Sequence, residues 1–94
     1  MLKSFGGDKM KVVKSASALC GNIKTYYVLI KEKHEGRSAY SLIISERAEA
    51  HTLFDIAATR TKAMLLFNIF VKNKVTPDEA VYVFDDISAN AVLA

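Results

Sequence analysis

Residues 24–45 read KTYYVLIKEKHEGRSAYSLIIS, and this stretch decides the fold. Tyr26, Tyr27, Val28, Leu29 and Ile30 form a run of good β formers between Lys24 and Lys33. His34-Glu35-Gly36-Arg37 follows as a hairpin loop, with Gly36 free to take a positive φ. A partner strand then runs from Ser38 to about Ser45. It presents Tyr40, Leu42 and Ile44 on one face and Ala39, Ser41 and Ile43 on the other. Strands joined by so short a loop pair antiparallel.

The same pattern extends outward in both directions. Upstream, Met10, Val12, Val13, Ala16, Ala18 and Leu19 alternate with Lys11, Lys14, Ser15 and Ser17. The phase slips at Val12-Val13, which predicts a β-bulge, and Cys20-Gly21-Asn22 reads as the turn into the central hairpin. Downstream, Glu46-Arg47-Ala48-Glu49 links to a fourth strand, Ala50 to Ile56. Strict alternation puts Ala50, Thr52, Phe54 and Ile56 on one face and His51, Leu53 and Asp55 on the other. Short links throughout predict a four-stranded antiparallel meander.

The period then changes. Thr59 or Thr61 caps a helix that runs to about Asn73. At about 100° per residue, Ala63, Leu66, Phe67 and Phe70 share one side, flanked by Met64, Ile69 and Val71. The apolar arc spans roughly 220°, twice the stripe that a surface helix needs. Thr76-Pro77-Asp78-Glu79 is a capping box with proline at the first helical position. It predicts a second helix from Pro77 to about Ser88, with Ala80, Val83, Phe84 and Ile87 on one face. Val81-Tyr82-Val83-Phe84 would suit a strand, but the cap decides for helix. The fold class is therefore α+β: a four-stranded antiparallel meander followed by two helices on one face.

The chain has 94 residues, 51% hydrophobic and 24% charged, which suits one globular domain over residues 1–94. Residues 1–8 read as a loose leader and 89–94 as a frayed tail. One cysteine excludes an internal disulfide framework and a zinc site built on several thiolates. No apolar run reaches the ~18 residues of a membrane span, and the first ten residues lack a signal-peptide core. The expected compartment is the cytoplasm, with no membrane partner.

The net charge of +3 divides unevenly. Residues 1–47 carry nine basic and four acidic side chains, an excess of +5, and the rest carry four and six, an excess of −2. The lysines are spread along the strands, where lysine commonly protects sheet edges. A nucleic-acid surface on the basic strands is the alternative reading, and it lacks a supporting motif.

No catalytic, cofactor-binding or metal-ligating set emerges. Cys20 lies in a turn without a Cys-His signature, and His34 and His51 lack a ligand-spaced carboxylate. Asp85 and Asp86 are neighbours on a helix and diverge by about 100°, so they make no dyad. Gly6-Gly7 lacks the spacing of a phosphate loop. The expected protein is not an enzyme and needs no cofactor. A third reading places a small enzyme's site, with His51, Asp55 or a tyrosine, at a subunit interface.

Apolar surface is in surplus instead. Two helices cover one face of a four-stranded sheet, yet the middle strands are apolar on both. The candidate interface residues are Tyr27, Leu29, Ile43, Met64, Leu65 and Ile69. A homodimer hides such a surplus with one self-complementary patch. The expected function is thus a small binding or regulatory module, a homodimer that uses apolar surface for a protein partner.

The C-terminal half carries a resemblance. Asp55-Ile56, a helix with Leu66 and Ile69, Val75-Thr76-Pro77, and a helix ending Val83-Phe84-Asp85-Asp86-Ile87 resemble a family of small clostridial (Gram-positive bacterial) proteins, a domain of unknown function. The likeness covers roughly residues 38–87. Glu79 stands where that family commonly has histidine, and Ala57-Ala58 where it often has Ser-Thr. The resemblance implies strands followed by two helices and a bacterial cytoplasmic origin, and it assigns no activity and no site residue.

Overall fold

A computed structural model describes residues 9–89. The expected leader at 1–8 and most of the expected frayed tail lie outside them. The elements are β1 (Lys9–Cys20), β2 (Ile23–His34), β3 (Arg37–Glu46), β4 (Glu49–Ala57), α1 (Arg60–Lys72) and α2 (Ala80–Ala89). The strands pair antiparallel in the order β1-β2-β3-β4, and both helices pack against the sheet. The α+β meander expected from the sequence is what forms.

Three two-residue loops set the register. In the central hairpin His34 opposes Arg37, and Glu35 and Gly36 both have positive φ, 51° and 82°. That double left-handed step matches the twist of the flanking strands. In the first hairpin Gly21 takes φ 65°. The bulge predicted at Val12-Val13 is present: Val12 opposes Ile30, Lys14 opposes Leu29, and Val13 is the extra residue. It turns Val13 toward the core.

A second bulge departs from the strict alternation expected of β4. Tyr40 opposes Ala57 and Leu42 opposes Leu53, so Phe54, Asp55 and Ile56 face one residue, Ser41. Asp55 takes φ 52°, a left-handed step that Asp tolerates better than most side chains. The step breaks the alternation. Ile56 joins Leu53 in the core, while Phe54 is 72% exposed on the opposite face.

The core lies between the sheet and the helices. Tyr27 and Leu29 meet Ile44 and Leu42 across the register, Tyr40 lies next along β3, and Ala63, Leu66, Phe67 and Phe70 of α1 complete the cluster. Burying a large apolar side chain of this kind contributes about 1.5–3 kcal/mol. The Tyr27 hydroxyl donates to the Val75 carbonyl at 2.8 Å, which ties β2 to the connection between the helices.

The caps explain the helix ends. Thr59, rather than Thr61, caps α1, its hydroxyl accepting from the Lys62 amide at 3.3 Å. At the other end the Val75 amide donates to the Phe70 carbonyl and the Lys74 amide to the Val71 carbonyl, both at 3.1 Å. This is a Schellman motif, with apolar Val75 and Phe70 in the core beneath it. Its left-handed position holds Lys74, φ 52°, where glycine is usual. Lys74→Gly is therefore expected to stabilise the fold by about 0.5–1 kcal/mol, seen as a higher urea midpoint at unchanged slope.

α2 begins later than the capping box suggests. The Thr76 amide donates to Glu79 Oε1 at 3.2 Å, half of the predicted box. The first turn closes through i→i+3 bonds, Glu79 amide to Thr76 carbonyl and Ala80 amide to Pro77 carbonyl. Regular helix starts at Ala80 instead of Pro77, and residues 81–84 are helical.

Candidate functional site

The β2 side chains at odd positions point toward the helices, and those at even positions point away. Among the described residues no helix covers the second set, although Ile30 and its row partner Ser41 are themselves buried. Across the register this open face consists of successive rows. One row is Val12, Ile30 and Ser41. The next is Ser15, Val28, Ile43 and Thr52. A third is Ser17, Tyr26, Ser45 and Ala50. Met10, Val12, Leu19, Tyr26 and Phe54 are exposed, each by about half or more. Apolar and hydroxyl groups thus fill the middle of the face.

Charge appears at the two ends. Lys24 stands at one, its Nζ 5.6 Å from the centre of the Tyr26 ring. Glu32 stands at the other, at the rim of a depression of about 310 Å³ lined also by Glu35, Arg37, Phe54 and Asp55. Three carboxylates and one guanidinium give that end a negative balance. Ser41 is fully buried beneath it, donating to Glu32 Oε1 and accepting the Asp55 amide, both at 3.1 Å. Its hydroxyl thereby fixes both the bulge and the carboxylate. In the sequence, the one hint of this arrangement was an aspartate inside a strand.

The structure separates the six candidate interface residues. Tyr27 and Leu29 have no exposed surface, because α1 and Val75 cover them. They belong to the core and offer nothing to a partner. Ile43 is half-buried on the open face. Met64 packs against the core, and Ile69 is half-buried beside α2. Leu65, 45% exposed, is the one α1 candidate left largely uncovered. The 220° arc of α1 thus faces the sheet on one side and, through Ile69, a groove shared with α2 on another. That groove is lined by Ile69, Asn73, Tyr82, Val83 and Asp86.

The remaining candidates do not converge. His51 opposes Ile44 on the helix side, whereas Asp55 lies in the bulge opposite Ser41. Asp85 and Asp86 are both exposed. The side chains of Cys20 and His34 lie outside what the structure describes. Among the described residues no group of three His, Cys, Asp or Glu side chains is placed to hold a metal ion. Among them, no helix is long and apolar enough to cross a membrane. No family model, curated protein or solved structure matches the chain, so comparison assigns it neither a family nor an activity.

Proposed function

We propose that this chain is a non-enzymatic binding or regulatory module that works as a homodimer, two sheets packed face to face through the open side. The observation that carries this reading is the composition of that face: apolar and hydroxyl groups over its middle, with Lys24 and Glu32 at opposite ends of one strand. Four strands about 4.8 Å apart and about ten residues long cover roughly 600 Å² in plan. Side-chain relief brings this toward the ~800 Å² per partner of a standard interface.

The charges choose the symmetry axis. Val28 lies midway between Lys24 and Glu32 along β2. A two-fold axis along the Ser15-Val28-Ile43-Thr52 row reverses the partner strand, so each Lys24 meets the other copy's Glu32. An axis parallel to the strands would set Lys24 against Lys24. The first arrangement is isologous and neutral, and sheets packed this way cross at about 30°.

A charge exchange tests this directly. Lys24→Glu and Glu32→Lys are each expected to weaken self-association by tenfold or more, and the double exchange to restore it, in sedimentation equilibrium at ~50 mM salt. Additive weakening in the double variant would contradict the axis.

A further inference from the structure

A second surface lies on the other side of the sheet. On the helix side, beyond the cover of α1, Lys11 opposes Lys31, and Lys33 follows on β2, opposite Lys9 in the register. Lys14 stands at the margin, its Nζ 5.7 Å from the centre of the Phe67 ring. Lys11, Lys14 and Lys33 are exposed. Lys31 is half-buried, with its Nζ 6.0 Å from the centre of the Tyr40 ring. The carboxylates of this end, Glu32, Glu35 and Asp55, border the depression on the opposite face. Among the described residues none of the four lysines has an ion pair.

Edge protection does not account for this ladder. β2 is an interior strand, paired on both sides, so Lys31 and Lys33 guard no edge. Like charges directly opposite one another destabilise a sheet. The arrangement opposes folding and suits a polyanion that supplies the missing charge. Successive lysines on one face of a strand are about 6.7 Å apart, close to the step between neighbouring phosphates along a nucleic-acid strand. Among the described residues no exposed aromatic ring lies beside these lysines, so they offer no platform for stacked bases. The exposed apolar side chains Met10 and Val12 project from the other face, so among the described residues no exposed apolar side chain stands beside the lysines to enter a lipid layer.

We infer that this lysine ladder is a site for the phosphate backbone of a nucleic-acid duplex, with Lys11, Lys31 and Lys33 at its centre and Lys14 at its margin. Binding is independent of base sequence. The surface stays open when the opposite face of the sheet is taken by a second copy.

The test is fluorescence anisotropy of the full chain with labelled 20-base-pair duplexes of two unrelated sequences. The expected affinities are equal for the two. Both fall about 100-fold between 50 and 200 mM salt, as about four phosphate contacts require. Lys11→Glu replaces a like pair with an opposite one. It is expected to lose at least tenfold in affinity at 50 mM salt while melting no lower than wild type. Lys72→Glu makes the same change of charge at the far end of α1 and is expected to bind within about twofold of wild type. Four results would overturn the inference: no binding at 50 mM salt, equal losses in both variants, a Lys11→Glu chain that binds as wild type, or anionic vesicles or polyglutamate bound in preference to the duplexes.

Discussion

Replacing Val28 with arginine is expected to give a folded chain that stays at 10.4 kDa under conditions where the proposed wild-type dimer would run at twice that mass. Val28 is half-buried, between Ser15 and Ile43 in the register, and its side chain leaves the sheet on the open side. In a single chain the longer side chain extends into water, so the sheet loses little. In the proposed dimer Val28 would lie on the two-fold axis and meet its own copy. Two guanidinium groups would then be buried against one another without a carboxylate, at a cost of several kcal/mol. That corresponds to at least a 100-fold weaker association. Light scattering reads the mass, and a cooperative melt confirms that the variant is folded. A variant that dimerises as wild type would remove Val28 from the interface.

Phe70→Ala is expected to have the largest effect on stability. Phe70 has no exposed surface, packs among α1 and the sheet, and contributes the carbonyl that receives the Val75 amide in the Schellman turn. Truncating a buried phenylalanine costs about 3–5 kcal/mol, the lost burial plus the cavity that remains. Against a total of about 5–15 kcal/mol for a domain, this brings the chain near its unfolding threshold. At about 4–8 °C per kcal/mol for a domain of this size, the melting temperature should fall by roughly 12–40 °C. Tyr82→Ala removes a side chain that is 76% exposed on α2 and should stay within about 0.5 kcal/mol of wild type. Equal losses in the two variants would mean that the helices are not held as described.

The parts legible in the sequence are those fixed by local chemistry. The central hairpin follows from β formers on either side of Glu35-Gly36, and the Val12-Val13 bulge from a visible slip of phase. The start of α1 narrows to Thr59 or Thr61, and the Thr76–Glu79 box announces α2, although its regular helix begins at Ala80 rather than Pro77. What was not legible depends on contacts between elements or on rare backbone states. Asp55 and Lys74 adopt left-handed conformations that their residue types seldom take. Strict alternation therefore misplaced Phe54 and Ile56, and the Schellman turn had no glycine to announce it. The choice of face was hidden for another reason. Tyr26 to Ile30 is apolar on both sides, so periodicity alone cannot say which side the helices cover. That choice placed Tyr27 and Leu29 in the core and left Ile43 as the one sheet candidate on the open side, beside Val28. The lysine ladder shows the same limit: Lys11 and Lys31 lie twenty residues apart in the chain, and only the register sets them opposite one another.

The absolute mass of the wild-type chain, followed by light scattering from about 1 to 100 µM, tests the central claim most directly. A concentration-dependent rise to twice 10.4 kDa, with no larger species, is the result predicted for two sheets closing their open faces on each other. A mass that stays at 10.4 kDa over that range would contradict it.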